Sequence, residues 1–170
     1  MEKFILKKCN LMWYVLGIII PVILISFDQF VKHLAKTHLA PVGNINLIDG
    51  IFELCFSEND GAAFGLFSGH QWLLIPVSAI IIGVLVFFYI KTPQVGGKSL
   101  LRVSIILIVS GAVGNFIDRV ISQKVVDLFY FKLIDFPIFN VADIYVVCGT
   151  ILLAFTMLFF PEPNKKQELI

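Results

Sequence analysis

Residues 71–90 have the sequence QWLLIPVSAIIIGVLVFFYI, a run of twenty residues that contains no charged side chain. A helix of about 20 residues crosses the hydrocarbon core of a bilayer, which is roughly 30 Å thick. Three further apolar runs of similar length lie at 11–27, 101–117 and 144–160, and Pro161 and Pro163 are expected to end the last one. The sequence therefore predicts a mainly α-helical integral membrane protein with four transmembrane helices.

The composition is that of a membrane protein. Of the 170 residues, 58% are hydrophobic and 15% are charged, whereas about one quarter of the residues in a soluble domain are charged. The formal net charge of +1 gives no indication of a basic surface for nucleic acid. The cysteines Cys9, Cys55 and Cys148 have neither a metal-ligand spacing nor a disulfide pattern. A chain of this length is expected to form a single domain, here residues 1–170.

Two loops between the predicted spans, 28–70 and 118–143, contain strand-like patterns. Residues 44–48 and 51–56 each alternate between polar and apolar side chains, with a glycine between them. This pattern predicts a short hairpin, which we expect to lie on the membrane surface. Residues 125–129 are also strand-like, so a small β-structure is predicted beside the helices.

The distribution of Lys and Arg predicts the orientation in the membrane. With four spans, both termini and the turn at 91–98 lie on one face, which carries eight of the thirteen Lys and Arg residues. The positive-inside rule places that face in the cytoplasm. The other face, with loops 28–70 and 118–143, carries nine of the twelve carboxylates. The first apolar run is longer than a signal-peptide core and lacks a small-x-small cleavage site, so it is expected to remain as a span.

Polar residues gather where the spans meet these two loops, a depth at which they are costly and tend to be functional. Asp28 and Lys32 are four residues apart and share a helical face, although a simple surface ion pair would also explain them. Asn59 precedes small residues, beginning with Gly61, that would let another backbone approach closely. Taken alone, a polar turn is the simpler explanation of that stretch.

Two further polar clusters flank the second of these loops. Asn115 shares a helical face with Asp118 and Arg119 and is suited to binding substrate carbonyls, although an interfacial polar cap with a snorkelling Arg119 is the alternative. Asn140 and Asp143 open the fourth span with the spacing of a helix capping box. The capping box explains both of these residues without any catalysis.

A pair of carboxylates would provide hydrolytic chemistry. Two buried carboxyl groups close together cannot both ionise readily, so one keeps a proton. The ionised group can activate water while the protonated group donates to the scissile carbonyl or the leaving amine. Asp118, Asp127 and Asp143 are the candidates. Arg119 follows Asp118 and would favour its charged form, which favours Asp127 and Asp143 as the pair, but spacing alone leaves the choice open.

Five motifs taken together resemble lipoprotein signal peptidase, the type II signal peptidase of bacteria. In chain order they are Asp28-x-x-x-Lys32, Asn59-x-Gly61-Ala62-Ala63, Gly114-Asn115-x-x-Asp118-Arg119, Val125-Val126-Asp127 and Phe139-Asn140-x-Ala142-Asp143. The resemblance covers residues 11–160. Asp60 and Leu128 depart from the residues that are commoner in that family, and neither departure touches the candidate carboxylate pair.

The resemblance implies a membrane-embedded aspartic endopeptidase with Asp127 and Asp143 as its catalytic residues. It would remove the signal peptide of a diacylglyceryl-modified prolipoprotein, cleaving before the lipidated cysteine, with no metal and no cofactor. The enzyme would lie in the bacterial cytoplasmic membrane and would be inhibited by globomycin. Its fold would consist of four spans with a small extracytoplasmic β-sheet cradle. The residues expected to bind substrate are Asn59, Asn115, Arg119 and Asn140, and those expected to support the site are Asp28, Lys32, Asp118 and Gly61.

Two alternative functions are compatible with the same carboxylates. A small transporter or channel subunit would use an acidic mouth to attract cations. A metal-dependent membrane enzyme would use the carboxylates as ligands, and it would lose activity on treatment with a chelator.

Overall fold

The computed structural model describes residues 2–61, 69–92 and 98–160. A π-helical turn (Ala35–Leu39) follows the first helix, and a 3-10 turn (Lys132–Ile134) follows the last strand. The predictions for Ala62 and Ala63, for most of the turn at 91–98 and for the end of the last span at 161–163 lie outside the described residues. The main elements, in chain order, are α1 (Glu2–Leu34), β1 (Asn44–Ile48), β2 (Phe52–Asn59), α2 (Gln71–Lys91), α3 (Lys98–Ser122), β3 (Val125–Phe131) and α4 (Val141–Phe159).

The predicted fold class is confirmed. The outer faces of the helices expose apolar side chains, for example Ile18 at 67% and Ile80 at 65% of their surface, as expected for contact with lipid. In the described part of the chain, four segments are long and apolar enough to cross a membrane: Leu11–Leu39, Trp72–Lys91, Ser99–Ser122 and Val141–Phe159.

Helix α3 is the centre of the helical bundle. It packs against α1, α2 and α4, and 50% of its spanning segment is buried, compared with 22% or less in the other three helices. Gly111 permits the contact with α4, because a Cβ at this position would overlap the carbonyl oxygen of Ala142. A small residue on α3 therefore allows the first turn of α4 to lie directly against it.

Two helices extend beyond the apolar runs that predicted them. Helix α1 continues through Leu34, so Asp28 and Lys32 are helical. Helix α3 continues through Ser122, so Asp118 and Arg119 are helical as well. Polar side chains that the sequence placed at the edges of loops are therefore held on rigid elements, which positions them more accurately than a loop would.

Arg102 joins three helices at the end of α3 that is remote from Asn115. Its guanidinium lies 5.7 Å from the ring centroid of Trp13 on α1 and 5.1 Å from that of Tyr89 on α2. Its Nη2 donates to the carbonyl of Thr92, just after α2. The side chain is 1% exposed, so aromatic faces take the place of water around this cation.

The three strands form one antiparallel sheet in the order β1-β2-β3. The predicted hairpin strands and the third strand are all present, with β2 extending through Asn59 and β3 through Phe131. One side of the sheet packs on the end of α1 and the π-helical turn. The buried residues of that contact, called the sheet core below, are Ala35, Leu39, Val126 and Leu128.

Candidate active site

A groove of about 1010 Å³ opens between the sheet, the ends of α3 and α4, and the segment that precedes α4. Asn140 lies next to the groove and is fully buried, and Asp28, Lys32 and Asp118 are also buried. The structure thus brings together residues that are widely separated in sequence. The predicted site residues that line the groove are Asn59, Asn115, Arg119, Asp127 and Asp143.

Asp127 is a buried carboxylate on β3 held by two side-chain amides. Its Oδ1 accepts a hydrogen bond from Nδ2 of Asn140 at 2.7 Å, and its Oδ2 accepts one from Nδ2 of Asn59 at 3.1 Å. Burial, followed by the charge of Asp143, raises the pKa of Asp127 to about 6, although both amides oppose this shift. Asp127 therefore binds a proton far more readily than an ordinary aspartate.

Asp143 lies in the first turn of α4 and takes part in a capping box. Its Oδ2 accepts from the backbone N–H of Asn140 at 3.0 Å, while Oδ1 of Asn140 accepts from the backbone N–H of Asp143 at 3.0 Å. The capping box expected from the spacing is thus confirmed, but both side chains also make contacts outside the capping box. Asn140 still donates to Asp127 through Nδ2, and Asp143 still lines the groove. One asparagine therefore caps a helix and joins two carboxylates.

Asn115 provides the second connection to Asp143. Its Oδ1 accepts from Nζ of Lys32 at 2.9 Å and from Nδ2 of Asn140 at 3.1 Å. Because two donors face its oxygen, its amide nitrogen must point the other way, and Nδ2 donates to Oδ1 of Asp143 at 2.8 Å. The buried ammonium of Lys32 and the amide of Asn140 thus together orient an amide that contacts Asp143.

A buried ionic cluster supports the groove from behind. Nζ of Lys32 lies 2.9 Å from Oδ2 of Asp28 and 3.0 Å from Oδ2 of Asp118, and these side chains are at most 6% exposed. The surface ion pair considered from the sequence is therefore wrong for Asp28 and Lys32. Oδ1 of Asp28 also accepts from the backbone N–H of Ala142 at 2.9 Å, and Oδ2 of Asp118 accepts from that of Val126 at 3.4 Å. The cluster joins α1, α3, β3 and α4.

The cations nearest in sequence to Asp118 and Asp127 bind elsewhere. Nη2 of Arg119 donates to the carbonyl of Gly61 at 3.1 Å, and Lys32 is the cation in contact with Asp118. Lys124 pairs with Glu58 at 3.0 Å on the exposed surface. Lys32, rather than the adjacent Arg119, is therefore in direct contact with Asp118, because consecutive residues of a helix point in different directions.

Gln29 also contacts the ionic cluster, although no motif of the sequence indicated it. Its Nε2 lies 3.3 Å from Oδ2 of Asp28, 3.1 Å from the carbonyl of Gly114 and 3.0 Å from Oδ1 of Asp118. It therefore donates to both carboxylates that hold Lys32. The available signal was its position beside Asp28 in a helix that continues past the apolar run, together with its polar, uncharged side chain.

Comparison with known proteins gives a consistent result. Residues 20–159 match the family model described as signal peptidase (SPase) II. A lipoprotein signal peptidase of Clostridioides difficile (strain 630) is 42% identical over 150 residues, which is 88% of this chain and 99% of that protein. One of Streptococcus thermophilus (strain CNRZ 1066) is 42% identical over 131 residues, covering 76% and 84% of the two chains.

Solved structures agree with the fold. One described as a bacterial membrane enzyme at 2.3 Å resolution superposes with a TM-score of 0.76 and 33% identity, covering 87% of this chain and 92% of its own. Another, with the same description at 1.9 Å resolution, gives a TM-score of 0.74 and 34% identity, covering 85% and 93%. The helices and the sheet are therefore arranged as in these membrane enzymes.

Proposed function

This chain belongs to the signal peptidase II family of bacterial multi-pass membrane peptidases, which cleave prolipoprotein signal peptides, and we propose that its Asp127 and Asp143 perform the hydrolysis. The observation that carries this proposal is that the two carboxylates come from different elements and line one groove. Both are held by Asn140, one through its side chain and the other through its backbone. Family membership replaces the transporter alternative considered from the sequence.

In the proposed mechanism the two aspartates share one proton. The ionised carboxylate removes a proton from a water molecule, which attacks the scissile carbonyl. The protonated carboxylate donates its proton to the carbonyl oxygen, which gives a tetrahedral diol. The carboxyl group that took the proton of the water then gives it to the leaving amine as the C–N bond breaks, and the diol returns one proton to the other carboxylate. The pair acts as one titrating unit, so neither carboxyl group is assigned a fixed role. The raised pKa of Asp127 supports this, because it lets the pair retain a proton up to about pH 6.

The polar residues around the pair divide into two groups in this proposal. Asn140 is fully buried, and the amide of Asn115 is occupied by Lys32, Asn140 and Asp143. These two residues position the aspartates. Arg119 and Asn59 also line the groove, and Nε of Arg119 is buried with no hydrogen-bond partner among the described residues. Arg119 is therefore suited to bind a substrate carbonyl once the scissile segment leaves helical form.

The groove also fits the expected lipidated substrate. Its walls include apolar side chains of the segment before α4 and of α4 itself, among them Phe139, Ile144 and Val147. A signal peptide and the acyl chains of a diacylglyceryl-modified cysteine prefer such surroundings to water. We place the termini in the cytoplasm and the groove at the extracytoplasmic face, which is supported by the excess of Lys and Arg on the predicted cytoplasmic side.

A reconstituted cleavage assay tests this function. The purified protein in lipid or detergent is expected to cleave a diacylglyceryl-modified precursor before its lipidated cysteine, and to leave the unmodified precursor at least about tenfold less processed, because the acyl chains contribute binding. Globomycin is expected to block cleavage, and EDTA is expected to have no effect. Loss of activity with EDTA, restored by adding a divalent metal, would support the metal-dependent alternative.

The pH dependence of cleavage gives a second test. Because the pKa of Asp127 is raised to about 6, the pair keeps its single proton up to about pH 6 and loses it above. We therefore expect kcat/KM to decline above a midpoint near pH 6, and also to decline at low pH where both carboxyl groups are protonated. The measurement is an initial-rate series from pH 4 to 9 in constant ionic strength. A rate that rises continuously to pH 9 would contradict the shared proton.

A further inference from the structure

Strands β2 and β3 do not form a regular ladder beside the proposed catalytic pair. Leu54 lies opposite Phe129, and Ser57 lies opposite Asp127. The chain therefore advances three residues along β2 while it advances two along β3. One extra residue in one strand of an antiparallel pair is a β-bulge, a feature that bends the strand and redirects side chains.

The bulge decides which residues of β2 share a face with Asp127. If the register at Leu54 continued unchanged, Phe56 would lie opposite Asp127. A shift of one residue turns every later side chain to the other face of the sheet. Phe56 contacts the sheet core, and Ser57 and Asn59 line the groove. The bulge therefore keeps an aromatic ring away from Asp127 and turns Ser57 and Asn59 towards it.

Asn59 shows that this face is the functional one. It is two residues beyond Ser57 on the same strand, and its Nδ2 reaches Oδ2 of Asp127 at 3.1 Å. Ser57 is the direct cross-strand partner of Asp127, and opposite residues have Cβ atoms about 4.5–5.5 Å apart. Ser57 also lines the groove. A hydroxyl group thus lies beside Asp127 in a position that the motifs of the sequence did not indicate.

Ser57 is not needed to hold Asp127 in place. Both carboxylate oxygens of Asp127 already accept hydrogen bonds from amides, those of Asn59 and Asn140. A hydroxyl can both donate and accept, and an unwound peptide segment in an apolar site presents N–H and C=O groups that are costly to leave unpaired. The small side chain of Ser57 also leaves the groove open above the sheet.

We propose that Ser57 is a substrate-binding residue whose hydroxyl group hydrogen-bonds the extended backbone of the prolipoprotein beside the scissile bond. The bulge in β2 places it there. This inference rests on the proposed function, because it takes Asp127 as the site of reaction. It adds a contact from β2 to the contacts that Arg119 on α3 would make.

Substitution of Ser57 tests the proposal with the full-length protein and a diacylglyceryl-modified precursor. Ser57→Ala is expected to lower kcat/KM about tenfold, the effect of losing one hydrogen bond in a desolvated site. Ser57→Thr keeps the hydroxyl and is expected to recover most of the activity. The control is Thr37→Val, which removes a hydroxyl that bonds the carbonyl of His33 at 2.9 Å on the exposed surface; its activity is expected to remain at the wild-type level.

The pH profile separates a substrate contact from an effect on Asp127. If Ser57 binds substrate, Ser57→Ala lowers kcat/KM at every pH and leaves the midpoint of the high-pH decline unchanged. A shifted midpoint in this variant, or wild-type activity, would overturn the proposal. Failure of the proposed function would be recognised separately, since it would appear as normal cleavage by Asp127→Asn, whatever Ser57→Ala does.

Discussion

Asp127→Asn and Asp143→Asn are each expected to lower prolipoprotein cleavage by at least about 10³-fold, because a neutral amide can neither remove a proton from water nor donate one as a carboxylic acid does. The two carboxylates line the same groove and are joined through Asn140, so losing either one removes the shared proton. The measurement is single-turnover cleavage of a lipidated precursor at pH 6. Comparable losses in the two variants are expected, since the pair acts as a unit.

Asp49→Asn is the matched control for these variants. Asp49 is an exposed carboxylate in the turn between β1 and β2, away from the groove-lining residues. Neutralising it changes the net charge by the same amount and is expected to leave cleavage unchanged. If Asp127→Asn or Asp143→Asn cleaves at the rate of Asp49→Asn, the assignment of the catalytic pair is wrong.

The stability of Asp127→Asn relative to the wild type is also expected to depend on pH, and measuring it shows whether the variant is folded. The pKa of Asp127 is raised to about 6 in the folded protein, against about 3.9 in an unfolded chain. Its proton therefore stabilises the wild type below about pH 4, and this contribution is lost as the pH rises through 6. This contribution to the free energy of unfolding amounts to about 3 kcal/mol.

The expected result is a thermal midpoint in detergent that rises for Asp127→Asn relative to wild type between pH 4 and pH 8. The asparagine has no charge to desolvate at either pH, whereas the wild-type carboxylate ionises over this range in a buried position. A difference between the two proteins that stays constant from pH 4 to pH 8 would show that the pKa of Asp127 is not raised.

Lys32→Met is the variant expected to have the largest effect on stability. It replaces the buried ammonium that lies 2.9 Å from Asp28 and 3.0 Å from Asp118. Removing one partner from a buried ionic cluster leaves uncompensated charge, which costs about 3–5 kcal/mol. The free energy of unfolding is expected to fall by this amount. Cleavage is expected to fall as well, because the amide of Asn115 loses one of the two donors that orient it towards Asp143.

Lys36→Met provides the matched control for this experiment. Lys36 lies four residues further along the same helical segment and is exposed, so its removal is expected to change stability by less than about 0.5 kcal/mol. The double variant Lys32→Met with Asp118→Asn removes one of the stranded charges and is expected to recover part of the lost stability. If Lys32→Met unfolds at the same temperature as Lys36→Met, the buried cluster does not support the site.

The sequence alone determined the fold class and the family of this protein. Four apolar runs near 20 residues are sufficient to predict spans, because bilayer thickness sets a length requirement that needs no knowledge of tertiary contacts. Strand-like patterns likewise depend on neighbouring residues only, and they located all three strands. The five motifs, with their characteristic spacing of polar residues, identified the family and the candidate aspartates.

Only the tertiary structure decided how these residues act. The sequence is equally compatible with a surface ion pair between Lys32 and Asp28. The contact of Lys32 with Asp118, far along the chain, shows that Lys32 is buried. The capping box of Asn140 and Asp143 did not exclude a catalytic site, because these residues also contact Asp127 and Asn115 on other elements. Ser57 became visible through a bulge that reverses the faces of β2. Burial, hydrogen-bond partners and strand register depend on residues remote in sequence, and spacing carries no information about them.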